Sequence, residues 1–420
     1  MNQGFQGMQQ QVYQHTLSNG LTVLGEPMPW LESVAFTLMY PGGTAREPAD
    51  RLGLAGMTLE MTQRGSGRWS SRQVVEQLDF LGVERSSSVS TFHTSISMSA
   101  MASVLEDTFE VAMSMVRQPH MPEDELDEVR QSALLELASI EDDPAQKCFV
   151  ELKRSRFSDP FGRSTLGSQE GIESVTHSDC IEFHTRYAKP TGAVLSIAGR
   201  FDWEDFLRYV EKQLGSWSTG TVGQLGEVEP QIASIHIPHE SQQTHIALAY
   251  DSVPYQHPEY YRGRGIVGIL SDGMSSRLFT EVREKRGLVY AISASSHSLK
   301  NCGSVLCYAG TTSARAQETL DVTLDTIRSI SQGIDSGELS RLKSRARTSL
   351  VMEQESSVSR SSQLAYDWIT LGRTTSRQEV LHEIEQLTAE NLIEHFSEYP
   401  PKRWTLVTIG PEPLEFHDAV

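Results

Sequence analysis

The two halves of the chain show the same order of hydrophobic and polar patterns. The first half predicts, in order, a strand (residues 33–40), a helix (53–62), an alternating strand run (83–100) and two amphipathic helices (105–116 and 126–142). The second half predicts a strand (245–250), two helices (262–273 and 275–287), two strands (288–296 and 303–310) and two helices (320–327 and 336–356). The similar order indicates an internal duplication.

The order of elements also predicts the fold class. It is mixed, without strict βαβ alternation, and therefore favours α+β domains over a doubly wound parallel sheet. We predict two similar sandwich-like domains, each an antiparallel sheet with helices packed on it. Residues 216–231 (SWSTGTVGQLGEVEPQ) are polar and glycine-rich, as linkers are. The predicted boundaries are residues 11–218, a linker at 219–231, and residues 232–415.

Composition and charge exclude several classes of function. With 36 Lys and Arg against 55 Asp and Glu, the net charge of −19 argues against nucleic-acid binding. No apolar run reaches the ~20 residues that span a bilayer. The first residues, MNQGFQGMQQQVYQ, show no secretory signal, and the four cysteines match no zinc or disulfide framework. These features predict a cytoplasmic protein with reduced thiols.

One segment, SSRLFTEVREKRGLVY, brings two side chains with complementary chemistry close together. Arg283 falls in the last turn of the predicted helix, Gly287 is placed to end it in the left-handed conformation, and Tyr290 follows on a strand in line with Leu288 and Ile292. A guanidinium and a phenol are both hydrogen-bond donors suited to a developing oxyanion. Spacing alone favours the simpler interpretation of a solvated Arg and a tyrosine packed in a sheet.

This segment closely resembles the second-domain motif of the pitrilysin/insulinase family, which includes the mitochondrial processing peptidases. The resemblance extends over nearly the whole chain, through LMYPGGTAREP, the GLAG helix start, EDDPAQ and RYAKPTGAVLSIAGRFDWEDF. It implies two domains that form half of a clamshell around an unfolded peptide. It also implies that Arg283 and Tyr290 contact the substrate carbonyl and stabilise the tetrahedral intermediate.

The zinc motif that this resemblance implies is altered in the chain. The family's H-x-x-E-H falls on residues 56–60, where Gly56 replaces the first His, Leu59 the general base and Glu60 the second His. The distal Glu ligand corresponds to Glu136, which shares an inward helical stripe with Val129 and Ala133. Two carboxylates without an imidazole make a poor zinc site. We therefore expect no metal in this chain.

Five other residues are weaker candidates for chemistry. His236 and His239 lie three apart on a strand or loop that points them in different directions, and His93 is predicted to lie on a sheet face. Cys302 and Cys307 are expected to flank a hairpin turn containing Gly303, as buried thiols rather than a redox pair.

Three hypotheses follow from the resemblance. The leading one is a zinc-free subunit, inactive alone, that supplies Arg283 and Tyr290 to a heterodimeric metallopeptidase acting on peptides. Its homologous partner subunit would carry H-x-x-E-H and the zinc. The second hypothesis is a non-catalytic scaffold or peptide-binding pseudopeptidase of the same fold. The third, an active homodimer with an unrecognised metal site, is disfavoured because no H-x-x-x-H or H-x-x-H pair lies on a convincing helix.

Overall fold

The computed structural model describes residues 11–353 and 355–417. The N-terminal residues in which the sequence shows no secretory signal lie in part outside this range. The strands are β1 (Tyr13–Thr16), β2 (Thr22–Pro27), β3 (Ser33–Pro41), β4 (Glu84–Val89), β5 (His93–Met101), β6 (Val194–Gly199), β7 (Ala233–Pro238), β8 (Gln243–Ser252), β9 (Val289–Leu299), β10 (Cys302–Thr312) and β11 (Thr405–Gly410).

The α-helices alternate with these strands and are accompanied by short 3₁₀ turns and one π-helical turn. The α-helices are α1 (Leu54–Thr62), α2 (Ser71–Phe80), α3 (Leu105–Arg117), α4 (Leu126–Glu141), α5 (Pro144–Arg156), α6 (Gln169–Ser174), α7 (His177–Tyr187), α8 (Trp203–Leu214), α9 (Tyr260–Ser271), α10 (Ala316–Arg328), α11 (Ser336–Glu353), α12 (Ser357–Leu371), α13 (Arg377–Glu385) and α14 (Ala389–Glu398). Within the described residues, no helix is long and apolar enough to cross a membrane.

The two sheets repeat one topology. The first has the strand order β1-β2-β6-β3-β5-β4 and the second β7-β11-β8-β10-β9. Each sheet contains one parallel pair of strands, β2 with β6 in the first sheet and β7 with β11 in the second. The other pairs are antiparallel. The α+β class and the two similar domains are thereby confirmed. The sheets are mixed rather than wholly antiparallel, because the last strand of each unit returns beside its first long strand.

The described residues form two compact units that differ from two contiguous halves. The first unit comprises the described residues up to Leu137, Thr165–Gln224 and Leu350–Glu379. The second comprises Ala138–Ser164, Leu225–Ser349 and the described residues from Val380 onward. The sequence boundaries at 218 and 232 stay a prediction. The compact units differ from them because α5 packs in the second unit and α12 in the first.

Helix α12 covers one face of the first sheet. Its Leu364 and Ala365 pack against Leu24 and Val194 in a buried cluster. Ser196 Oγ of β6 donates to the Ser361 carbonyl at 2.6 Å. The central strands β3 and β6 are consequently buried along nearly their whole length, which explains why their sequences show no alternation of polar and apolar residues.

Helix α5 covers the corresponding face of the second sheet. Its Cys148 and Leu152 are fully buried against Ala247, Ala249 and Val407. The small side chains of Ala247 and Ala249 allow the helix to approach the strands closely. Each sheet therefore has one covering helix from the opposite half of the chain.

Candidate functional site

Helix α1, which carries the altered zinc motif, begins at a glycine turn that a buried carboxylate stabilises. Gly53 has a φ of +108°, a conformation that favours glycine. The backbone N–H groups of Gly53 and Ala55 donate to Glu47 Oε1 at 3.2 and 2.8 Å, which satisfies amides that a helix start leaves unpaired. The turn fixes which residues of α1 face the neighbouring cavity.

A cavity of about 360 Å³ lies beside α1, and the three altered motif positions line it. Its lining comes from α1, from the end of β4, from α4 and from residues 165 and 166. The four predicted positions that it brings together are Gly56, Leu59, Glu60 and Glu136. Glu136 of α4 thus lines the same cavity as the three motif positions of α1.

Glu136 shares its face of α4 with Val129 and Ala133, which also line the cavity. The sequence predicted an inward position for this carboxylate, and that prediction is wrong in one respect. Val129 is buried, whereas Glu136 is exposed to solvent. The helical stripe is correct, but it leaves the core before Glu136, so this carboxylate lies at the surface beside the cavity.

The Glu60 carboxylate is already paired with Arg64, two residues beyond the end of α1. Arg64 Nη2 lies 3.0 Å from Glu60 Oε1, and its Nη1 lies 3.1 Å from Glu128 and 3.6 Å from Glu125. Gln63 Nε2 donates to Glu60 Oε2 at 3.4 Å. Arg64 therefore links α1 to the acidic start of α4 and holds Glu60 at the cavity wall.

The cavity does not fit a zinc ion. Catalytic zinc takes at least three nitrogen, sulfur or carboxylate ligands and leaves a position for water. At the first ligand position, a Cβ on Gly56 would meet open space, with only the Thr165 carbonyl oxygen at 3.9 Å. Leu59 supplies no base. In the part of the chain that the structure describes, no three His, Cys, Asp or Glu side chains are grouped as metal ligands.

The Arg283 segment is a π-helical turn, Phe279–Glu284, rather than the end of an ordinary α-helix. The Lys285 N–H donates to the Thr280 carbonyl at 3.0 Å, a bond that spans five residues. Gly287 has the predicted left-handed φ, +57°. Such turns arise where one extra residue is accommodated in a helix, and they are frequent at functional sites.

Arg283 is distinguished from its basic neighbours by its pairing. Lys285 and Arg286 both bind Glu281, at 2.6 and 2.9 Å. The Arg283 guanidinium lies 4.9 Å from the centroid of the Phe279 ring. Among the described residues no carboxylate pairs with Arg283, so its donors face solvent.

Tyr290 lies in a β-bulge at the start of β9. Ala291 pairs with Gly310 of β10, but Val289 pairs with Thr311, so Tyr290 is the extra residue. The bulge places Val289 on the core face and turns Tyr290 outward, with 68% of its surface exposed. The predicted alternation, with Tyr290 facing the same way as Leu288 and Ile292, is therefore wrong.

The structure brings Arg283 and Tyr290 to the two sides of the Gly287 reversal, where both are exposed. The described residues show no hydrogen bond between them. Sequence reasoning missed the π-turn, the bulge and the role of Phe279. The spacing of seven residues gave no signal for either irregularity.

The three histidines that were weaker candidates lie in or beside the sheets and do not come together as a site. His236 Nδ1 lies 2.9 Å from Thr408 Oγ1 within the second sheet, and His239 is exposed in the following loop. Burial, followed by the charge of Arg46, lowers the pKa of His93 to about 4, at the start of β5.

The two cysteines are free, buried thiols, but they do not flank a turn. Cys302 and Cys307 both lie on β10, five residues apart and so on opposite faces, because the hairpin turn falls before Cys302. Burial raises the pKa of Cys307 to about 12. Neither thiol is placed for redox chemistry with the other.

Comparison with known proteins identifies the family. The family model described as "Insulinase (Peptidase family M16)" matches residues 23–169, and that described as "Peptidase M16 inactive domain" matches residues 174–346. The chain belongs to peptidase family M16. The cavity lies in the part matched by the insulinase model, and Arg283 and Tyr290 lie in the part matched by the inactive-domain model.

Similar proteins are found over nearly the full length of the chain. An "uncharacterized zinc protease" of Rickettsia felis is 24% identical over 95% of this chain and 97% of its own. One of Bacillus subtilis is 25% identical over 91% of this chain and 94% of its own.

Two solved structures share the M16 fold. One is described as a peptidase M16 inactive domain from Pseudomonas fluorescens, with a TM-score of 0.88 and 19% identity over 97% of this chain and 99% of that one. The other, a protease from Helicobacter pylori, has a TM-score of 0.89 and 17% identity over 96% of this chain and 100% of that one.

Proposed function

We propose that this chain is the zinc-free subunit of a heterodimeric zinc metallopeptidase that acts on unfolded peptides. A homologous partner subunit carries H-x-x-E-H, the zinc and the general base. This chain supplies Arg283 and Tyr290 and has no peptidase activity alone. The observation that carries the proposal is a contrast within the chain. Helix α1 has no imidazole at the positions of the zinc motif, whereas the side chains of Arg283 and Tyr290 are exposed to solvent.

Arg283 and Tyr290 have the chemistry of an oxyanion site. As a peptide carbonyl becomes tetrahedral, negative charge develops on its oxygen, and preorganised donors stabilise that charge most in the transition state. Pairing of Lys285 and Arg286 with Glu281 leaves Arg283 as the cation available for this role. The bulge turns the Tyr290 hydroxyl away from the core in the same segment.

Strand β4 supports a peptide substrate. It lies at the edge of the first sheet, paired with β5 on one side only within the described residues, and its side chains are almost all exposed. A free edge can add an extended peptide as a further strand through backbone hydrogen bonds. Such recognition requires an unfolded substrate.

The proposal includes a cytoplasmic location. The four cysteines are all free thiols and all buried, which is compatible with a reducing compartment.

The decisive experiment measures peptide cleavage by the chain assembled with its H-x-x-E-H partner. Arg283→Ala and Tyr290→Phe are expected to lower kcat by roughly 10²- to 10³-fold, as loss of one oxyanion donor does, with assembly unchanged on size-exclusion chromatography. Arg286→Ala is the matched control, since it removes a neighbouring cation that is bound to Glu281 and should retain wild-type kcat.

Two results would contradict the proposal. Wild-type cleavage by both variants would remove the assigned role from Arg283 and Tyr290. Purification of the native chain without any H-x-x-E-H partner would favour the non-catalytic scaffold instead.

A further inference from the structure

We infer that the cavity left by the altered metal motif is a binding pocket for a lysine or arginine side chain of an extended peptide. This inference rests on the proposed function in one respect, because it takes the peptide to lie along β4. It adds a preference for basic side chains, which this subunit would bind beside the altered metal motif.

The size of the cavity comes from the altered motif. Gly56 contributes no side chain, and its Cβ position points into open space. A single water needs roughly 10–15 Å³, so about 360 Å³ accommodates a complete side chain. Gly56, at the position of a ligand, and Leu59, at the position of the general base, therefore line a pocket rather than a filled core.

The pocket lies where a peptide on β4 would reach it. Ser87, Ser88 and Val89, at the end of β4, form part of its wall. Gln63 Nε2 of α1 donates to Ser87 Oγ at 3.2 Å, which ties the helix to the strand. Side chains of an added strand alternate between the two faces of a sheet, so one of them would be directed toward α1.

The lining of the pocket matches a long basic side chain. Leu59, Val129 and Ala133 provide apolar contacts for the methylene groups. Of the described residues that line the cavity, the charged ones are Glu60 and Glu136, both acidic. Glu60 Oε1 lies 3.0 Å from Arg64 Nη2, so its charge is already partly balanced within the chain. The apolar wall with an acidic rim complements lysine or arginine and disfavours glutamate.

The test measures binding of labelled decapeptides to the full chain by fluorescence anisotropy. The peptides are neutral apart from one residue, placed in turn at each of three central positions, which is Lys, Arg, norleucine or Glu. At the favoured position, the Lys and Arg peptides are expected to bind about five- to tenfold more tightly than the norleucine peptide, and the Glu peptide less tightly.

Three variants separate the pocket from general charge. Gly56→Leu fills the cavity from an open position on the helix and should equalise the Lys and norleucine affinities, with norleucine binding kept within about twofold of wild type. Glu136→Gln should reduce the Lys preference by about threefold. Glu128→Gln, the control, removes an acid that pairs with Arg64 outside the cavity and should keep the full preference.

Equal Lys and norleucine affinities in the wild type would overturn the inference, as would an unchanged preference in Gly56→Leu or the absence of binding by every peptide. Because these measurements need neither cleavage nor a partner, they are independent of the roles of Arg283 and Tyr290. Loss of cleavage in Arg283→Ala together with no Lys preference would reject the pocket and leave the proposed function standing.

Discussion

Two glycines three residues apart in the sequence have opposite roles at α1. Gly53 is required by its backbone, since its φ is +108° and a Cβ there would lie 2.7 Å from Ile172 Cγ1. Gly56 meets neither restriction, because it lies inside the helix with open space beside it. Packing therefore does not require glycine at position 56, which the family resemblance assigns to a metal ligand.

This difference predicts opposite effects of the same substitution. Gly56→Ala is expected to raise the free energy of unfolding by about 0.5–1 kcal/mol, because alanine in a helix interior loses less conformational entropy than glycine. Gly53→Ala should lower it by about 2 kcal/mol. Urea denaturation monitored by circular dichroism measures both. Destabilisation by Gly56→Ala would show that the cavity is smaller than described.

At the scale of elements, the sequence predicted regular structure well and irregular structure poorly. The strands β3, β8 and β10, the helices α1, α3 and α4, and the left-handed Gly287 all follow from local patterns. The outward position of Tyr290 does not, because the bulge depends on how β9 pairs with Gly310 and Thr311. The position of Glu136 on its face of α4 could be predicted, but its exposure depends on where α4 leaves the core.

The turn between Arg283 and Tyr290 depends on a more distant element. Arg315 Nη1 donates to the carbonyls of Arg286 and Gly287, at 3.0 and 3.4 Å, while Glu318 binds the same guanidinium. Thr311 Oγ1 donates to the Leu288 carbonyl at 2.6 Å. These bonds hold the backbone between Arg283 and Tyr290, so under the proposed function Arg315 acts as a positioning residue.

Arg315→Ala is accordingly expected to lower kcat of the assembled peptidase by about tenfold while KM changes little, because misplacement affects the transition state more than peptide binding. Arg315→Lys should recover part of the loss. Arg72→Ala removes another exposed arginine, paired with Glu76, and serves as the control. A parallel rise in KM without loss of kcat would contradict the positioning role.

At the scale of the molecule, α5 and α12 are exchanged between the two halves of the chain, because each helix packs in the unit formed mainly by the other half. Nothing in the local sequence of either helix indicates which sheet it covers. The pairing is fixed by distant residues. Arg360 of α12, for example, donates to Glu26 of β2 at 2.6 Å, and both side chains are buried. Removing one partner of such a pair is strongly destabilising.

The exchange predicts how the chain responds to a break in its linker. With a protease site placed between residues 219 and 224, cleavage should leave the two fragments together on size-exclusion chromatography, since each unit holds a buried helix from the other fragment. Leu364→Asp in α12 should promote separation by placing a charge in the cluster with Leu24 and Val194. Separation of the cleaved wild-type fragments without denaturant would contradict the described packing.

The same exchange sets a time order during synthesis. The strands of the first sheet are complete at Gly199, but α12 begins only at Ser357. At about 5–20 residues per second, the ribosome needs on the order of ten seconds or more to make the intervening chain. Throughout that interval the apolar face around Leu24 and Val194 is without its covering helix. We therefore expect the nascent chain to be most prone to aggregate during this stage of its synthesis.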